Sequence, residues 1–152
     1  MGLIIVWVRD KVRAIFGYRW VGSIILLFLL DFCTYMAFGK LDQPRLVDNQ
    51  DKYLHTLAFI TLSVMGYLAL AFDVYGKLRR ISIRLLLFNW FAWLSYGGFL
   101  ELGQLYLAHR EASLGDMLAD SVGIALGTVL VVVFQLHPPP LAPDLEIDQA
   151  QA

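Results

Sequence analysis

The segment LGDMLADSVGIALGTVLVVVF, residues 114–134, carries the most information about the fold. It is apolar over most of its length, and at about 1.5 Å per residue a helix this long spans the roughly 30 Å hydrocarbon core of a bilayer. Asp116, Asp120, Gly123 and Gly127 follow the 4-3-4 spacing of a single helix face. The segment is therefore predicted to be a transmembrane helix whose acidic, small-residue face packs against its neighbours.

Three further apolar segments, residues 20–39, 53–72 and 85–107, are also long enough to cross a bilayer. Unpaired backbone groups cost several kcal/mol each in lipid, and the chain lacks the alternating pattern of a membrane barrel, so these segments must be helical. We predict an all-α fold, an integral membrane bundle of four transmembrane helices over 20–39, 53–72, 85–107 and 114–134.

The composition supports one membrane domain. Of 152 residues, 59% are hydrophobic and 16% are charged, whereas soluble domains carry about 25% charged residues. The predicted partner is the lipid bilayer. A net charge of −1 argues against a nucleic-acid partner, and the single cysteine, Cys33, excludes an intramolecular disulfide. Oligomeric state is not indicated by the sequence.

The two ends of the chain differ from the spans. Residues 1–19 place apolar side chains at helical spacing opposite charged ones, which predicts an amphipathic helix on the membrane surface, with a frayed basic terminus as the alternative. The apolar members are Ile5, Val8, Val12, Ile15 and Phe16. Residues 135–152 form a Pro-rich, acidic tail that is predicted to be disordered.

The distribution of Lys and Arg predicts the orientation. When the connections are assigned to alternate sides, eight of these residues lie on the side of the termini and four on the opposite side. Cytoplasmic loops are enriched in Lys and Arg. We therefore expect a multi-pass protein of the cell membrane with both termini in the cytoplasm.

Polar residues within the spans converge on the outer side. Glu101 and Asp120 each lie six residues from the outer end of a span, roughly 9 Å deep, and His55 lies roughly 3 Å deep. Asp31 falls in the same half of the bilayer. The candidate ligand-binding residues are Asp51, Lys52, His55, Glu101, Gln104, Arg110, Asp116 and Asp120, of which His55, Glu101 and Asp116 are the catalytic candidates.

These residues also carry a resemblance. The ordered set is Asp51-Lys52-x-x-His55, Glu101-x-x-Gln104, Arg110, Ser113-x-x-Asp116 and Gly123-x-x-x-Gly127. It covers about half the chain and resembles the VanZ-like family. The resemblance implies a small multi-span protein of the cell envelope, and some members are linked to resistance to the glycopeptide teicoplanin. It implies no settled activity or cofactor. Where the family pattern often has Asn, this chain has Asp120.

Three classes of function remain open. The first is a binding protein that accepts or modulates a phospholipid or a lipid-linked envelope precursor, with Lys52 and Arg110 holding its anionic group. The second is an intramembrane enzyme that uses His55 and carboxylates on a lipid substrate, with or without a divalent metal. The third is a structural or regulatory protein. No cofactor is identified, and without a paired-His signature no metal ligands are assigned.

Individual residues also have purely structural interpretations. Asp51 suits a helix cap, His55 an interfacial position, and Asp116 a helix N-terminus. Glu101 is expected to contact Arg110, His55 or both, with Asp116 in the same cluster. Three aromatic residues of the third span are interpreted as facing lipid or the interface: Trp90, Trp93 and Tyr96.

Overall fold

The computed structural model describes residues 2–39, 49–74, 81–107 and 113–137. Helices account for 86% of these residues, and no strand occurs among them, which confirms the all-α prediction for this part of the chain. The elements are α1 (Gly2–Phe16), α2 (Val21–Phe38), α3 (Gln50–Leu68), α4 (Ile83–Gln104) and α5 (Leu114–Val133). Helix α3 continues without a break as a π-helical segment, Ala69–Val74.

Three helical segments of the described residues are long and apolar enough to cross a membrane. They are Val21–Phe38, Gln50–Val74 and Leu114–Val133, with mean hydropathies of 2.0, 1.9 and 1.8. Helix α4 has the length, at 22 residues, but is not among them. Its buried polar residues, Asn89, Glu101 and Gln104, lower its hydropathy although they face the protein.

The most extensive packing is between α3 and α5. Both helices begin at one end of the bundle, hereafter the site end, and they run in parallel. A Cβ atom added at Gly123 would lie 2.5 Å from the carbonyl oxygen of Thr56, and one at Gly127 would lie 2.8 Å from that of Ile60. Such close backbone approach requires glycine. The small-residue face predicted for residues 114–134 is therefore the face that packs on α3.

A buried polar network connects α3 with α4. The side-chain amide of Asn89 donates to the carbonyl oxygen of Ser63 (3.0 Å), and its oxygen accepts from the indole N–H of Trp93 (2.8 Å). We call Asn89, Ser63 and Trp93 the Asn89 network. The prediction that Trp93 faces lipid or the interface is wrong, because its indole is 6% exposed and packs between α3 and α4.

Trp90 and Tyr96 also turn partly inward. The Trp90 indole N–H donates to Thr128 Oγ1 of α5 at 2.8 Å. The Tyr96 hydroxyl lies 2.8 Å from Thr34 Oγ1 of α2. These polar tips find hydrogen-bond partners on neighbouring helices, which explains why the side chains are half-buried rather than fully exposed to the surroundings.

The opposite end of the bundle is closed by α1 and by the π-helical segment. Phe16 is buried in one apolar cluster with residues of α3, α4 and α5, and Val12 packs against this cluster. The predicted apolar face of α1 is thus used at least partly for packing on the protein. Leu136 is buried in the same cluster, so packed structure extends past the predicted boundary at residue 134. The tail prediction for residues 138–152 falls outside the described residues.

Asp73, at the end of the π-helical segment, caps α2. Its carboxylate accepts hydrogen bonds from the backbone N–H of Trp20 (3.2 Å) and from the N–H (2.6 Å) and hydroxyl (2.7 Å) of Ser23. An acid at a helix N-terminus satisfies otherwise unpaired N–H groups and interacts favourably with the helix dipole. This contact joins the end of α3 to the start of α2.

Candidate functional site

The centre of the site end is a hydrogen bond between side chains of α3 and α5. His55 Nδ1 lies 2.8 Å from Asp120 Oδ1. Asp120 is 2% exposed, while the His55 side chain keeps partial access to the surroundings. Gly97 of α4 provides the space for this carboxylate, because a Cβ there would lie 2.7 Å from Asp120 Oδ2. The close packing of three helices therefore holds the imidazole in one orientation.

Glu101 joins the end of α4 to the start of α5. Its Oε2 accepts a hydrogen bond from the backbone N–H of Ser113 at 2.8 Å. The Ser113 hydroxyl oxygen in turn accepts from the N–H of Gly115, which caps α5. The other carboxylate oxygen of Glu101, Oε1, is buried and has no hydrogen-bond donor among the described residues.

Asp116 and Lys52 form the side of the cluster nearest the helix ends. Asp116 is 6% exposed, and its buried Oδ1 lies 3.9 Å from Lys52 Nζ, beyond hydrogen-bond distance. Within the described ranges no donor reaches that oxygen. Lys52 Nζ also lies 3.4 Å from Asp51 Oδ2. A Cβ at Gly115 would lie 2.9 Å from Lys52 Cε, so this glycine lets the lysine side chain pass over α5.

Together these side chains form what we call the acid cluster: His55, Glu101, Asp116 and Asp120, with Lys52 at its edge. His55, Glu101 and Asp116 each offer one potential metal-ligating atom, and these atoms lie within 4.8 Å of one another. Three carboxylates face one lysine and one imidazole, so the cluster favours cations and hydrogen-bond donors. Two of its carboxylate oxygens have no hydrogen-bond partner in the described part of the chain.

Four of the eight predicted site residues thus meet in the acid cluster, and Lys52 lies at its edge. Asp51 is exposed outside it. Gln104 turns away, because its amide donates to the carbonyl oxygen of Ala37 in α2 at 3.0 Å. The expected contact between Glu101 and Arg110 lies outside the described residues. His55 is near Glu101, but its hydrogen bond is with Asp120.

Asp31 does not join the cluster. It lies halfway along α2, is exposed, and lines a shallow cleft with Thr34, Tyr35, Phe38 and Gly39. Depth in the bilayer alone grouped it with the other acids, but its direction around the helix separates it from them.

Two positions were missed by the sequence argument: the Ser113 N–H as partner of Glu101, and Gly115 as the space for Lys52. Ser113, three residues before Asp116, carried a capping signal.

Comparison with known proteins adds no relative to this description: no family model, curated protein or solved structure matches the chain.

Proposed function

We propose that this chain is a four-span membrane protein of the VanZ-like type whose acid cluster binds the polar part of a phospholipid or a lipid-linked envelope molecule. The observation that carries the proposal is the pair of buried carboxylate oxygens, one on Glu101 and one on Asp116, that have no hydrogen-bond partner among the described residues. Buried polar groups are normally hydrogen-bonded, because leaving one unpaired costs about 1–3 kcal/mol. A bound ligand would offset that cost.

The fourth span of the proposal is α4. A 22-residue helix reaches about 33 Å, which matches the thickness of the hydrocarbon core. Its buried face holds the polar residues Asn89, Glu101 and Gln104. Apart from Arg84 in the first turn, its exposed large side chains are apolar: Ile83, Leu87, Phe88, Phe91, Leu94, Phe99 and Leu102. A helix that is apolar outward and polar inward is suited to a lipid environment.

The chemistry of the acid cluster supports a ligand with both hydrogen-bond donors and an anionic group. Glu101 Oε1 and Asp116 Oδ1 accept hydrogen bonds, so they suit the hydroxyl, amide or ammonium groups of a head group. Lys52 at the edge suits a phosphate or carboxylate, and Arg110 would add a second cation. The partial exposure of His55 keeps the cluster open to a ligand.

Lipids that co-purify with the protein test the proposal. We expect wild-type protein in mild detergent to retain a defined lipid that mass spectrometry detects in about equimolar amount. Glu101→Gln removes the charge, keeps the shape, and should release that lipid. Asp31→Asn, which removes an exposed acid outside the cluster, should retain it. Equal retention by wild type and Glu101→Gln would contradict the proposal. Teicoplanin susceptibility of cells expressing the same variants is the matching cellular assay.

The proposed orientation has both termini in the cytoplasm and the acid cluster on the outer side. In a Cys33→Ser background, cysteines introduced at Gln43 and Glu111 should react with a membrane-impermeant thiol reagent in intact cells. A cysteine at Gly76 should not react. The reverse labelling pattern would move the cluster to the cytoplasmic side.

A second candidate function is favoured by the 2.8 Å bond between His55 and Asp120. A carboxylate that orients an imidazole beside further carboxylates is an arrangement used for general acid–base catalysis. The candidate is an intramembrane enzyme that acts on a lipid, with His55 as the base. If it is correct, a bacterial lipid extract incubated with wild-type protein should yield a new product by mass spectrometry, and His55→Gln should yield none. An unchanged extract would exclude this candidate.

A further inference from the structure

We infer that His55, Glu101 and Asp116 form a binding site for a divalent transition-metal cation, which bridges α3, α4 and α5 at the site end. This inference goes beyond the proposed function, because it concerns binding of the metal itself and requires no lipid. The three side chains come from three different helices, and each offers one ligand atom within 4.8 Å of the others.

The spacing of the ligand atoms fits one cation after a small adjustment. Nitrogen and oxygen ligands bind transition metals at about 2.0–2.2 Å, so atoms that share a metal lie at most about 4.4 Å apart. Side-chain rotations that move these atoms by a few tenths of an ångström are sufficient.

The unpaired carboxylate oxygens are the second, independent observation. Glu101 and Asp116 are 5% and 6% exposed, and each has one buried oxygen without a hydrogen-bond donor in the described ranges. The nearest described cation, Lys52 Nζ, lies 3.9 Å from Asp116. Two negative groups in a region of low dielectric constant are unfavourable without compensation. A dication between them would supply that compensation.

His55 is oriented by a hydrogen bond to a carboxylate, as metal-ligating histidines commonly are. Its Nδ1 is engaged by Asp120 at 2.8 Å, so the inference assigns Nε2 as the ligand atom. A carboxylate that is hydrogen-bonded to the ring nitrogen not used for the metal sets the tautomer and fixes the ring orientation. It also raises the basicity of the ligating nitrogen. Asp120 is therefore a positioning residue: it acts on the metal through His55.

The mixture of ligands selects the class of cation. Two carboxylates suit hard cations, whereas an imidazole suits transition metals, so the set favours Mn²⁺ or Zn²⁺ over the all-oxygen ligation preferred by Ca²⁺ and Mg²⁺. Three protein ligands also leave coordination positions for water or for a phosphate oxygen. A cation here would give a net acidic cluster a direct means of holding an anionic head group.

The test uses the full chain in detergent micelles without added lipid, with Mn²⁺ alone, measured by electron paramagnetic resonance, with protein-free micelles as the blank. We expect one Mn²⁺ per wild-type chain, with nitrogen hyperfine coupling from one imidazole. Zn²⁺ should displace it, and the same concentration of Ca²⁺ should not. Absence of binding, absence of the nitrogen coupling, or equal displacement by Ca²⁺ would overturn the inference. Because these readouts need no variant and no lipid ligand, they stay separate from the co-purification result.

Variants then assign the ligands. Glu101→Gln and Asp116→Asn should each weaken Mn²⁺ binding by more than about 10-fold, since each removes a charged ligand. Asp120→Asn should weaken it by about 10–100-fold, the usual effect of losing the partner of a metal-bound histidine. Asp31→Asn, which removes an exposed acid of α2, should bind as wild type does. If folded Glu101→Gln and Asp116→Asn bind Mn²⁺ as tightly as wild type, the site is not where we place it.

Discussion

The Asn89 network and the acid cluster are both buried and polar, and both lie between α3, α4 and α5, yet their hydrogen bonding differs. Every polar group of the Asn89 side chain is paired: the amide donates to Ser63, and the oxygen accepts from Trp93. In the acid cluster, Glu101 and Asp116 each keep an unpaired oxygen among the described residues. The full pairing in the Asn89 network is what helix packing requires. The unpaired oxygens of the acid cluster are able to accept hydrogen bonds from a ligand.

Asp73 extends the comparison to a third acidic position. Both of its carboxylate oxygens accept hydrogen bonds at the start of α2. Asp73, an acid with a structural role, therefore has hydrogen-bond donors for both of its carboxylate oxygens. The partial pairing of Glu101 and Asp116 distinguishes these two acids from Asp73. Four substitutions test the comparison, in order of expected effect on stability.

The largest effect is expected for Gly127→Leu, because both polar regions depend on the close approach of α3 and α5. A side chain at this position would meet the Ile60 carbonyl oxygen and Ser63 Cβ, both 2.8 Å from the Cβ position. We expect a loss of about 3 kcal/mol, seen as a lowered thermal midpoint in detergent. Gly98→Leu is the matched control, since no other heavy atom lies within 4 Å of its Cβ position. Equal midpoints for the two variants would show that this interface tolerates separation.

Asn89→Leu should have the next largest effect and should separate the two regions. The substitution leaves the Trp93 indole N–H and the Ser63 carbonyl oxygen without their side-chain partner in a buried position. We expect a loss of about 2 kcal/mol in the same thermal assay. Lipid and Mn²⁺ retention should stay at the wild-type level in the folded protein. Loss of Mn²⁺ binding would mean that the two regions are coupled.

Asp73→Ala tests an acid whose hydrogen bonds are complete. Three donors at the start of α2 lose their acceptor, which is comparable to removal of a helix cap. The expected loss is about 1 kcal/mol. Asp31→Ala, on the helix that Asp73 caps, serves as control, because Asp31 is exposed and lies away from both ends of that helix. A stability change in the control as large as in Asp73→Ala would argue against the capping role.

Glu101→Gln should have the smallest effect on stability and the largest on ligand binding. The amide oxygen can still accept the Ser113 N–H, so we expect a loss below about 1 kcal/mol. Cellular function should be abolished while expression is retained. If Glu101 is structural, stability and function should fall together. A variant that is stable and fully active would remove Glu101 from the site altogether.

Residue spacing predicted most of the acid cluster, because the spacing of residues along a helix decides which of their side chains share one face. Asp116, Asp120, Gly123 and Gly127 were assigned to one face, and all four are buried in α5. The interpretation of Trp93 as facing lipid or the interface was wrong, and depth alone placed Asp31 at the level of the site residues. Composition and depth do not specify which side of α4 or α2 meets the neighbouring helices. Which face of a helix meets the protein is known only once its neighbouring helices have been placed.

The sequence by itself determined the helical class, the lengths of the apolar segments and the level at which the polar residues lie, because rise per residue and hydropathy are local properties. Only the tertiary structure decided the pairing of His55 with Asp120, the turn of Gln104 toward α2, and the difference between the Asn89 network and the acid cluster. Those outcomes depend on distances between helices that are remote in the chain. The approach of backbones at Gly123 and Gly127 sets these distances, and no segment carries that information alone.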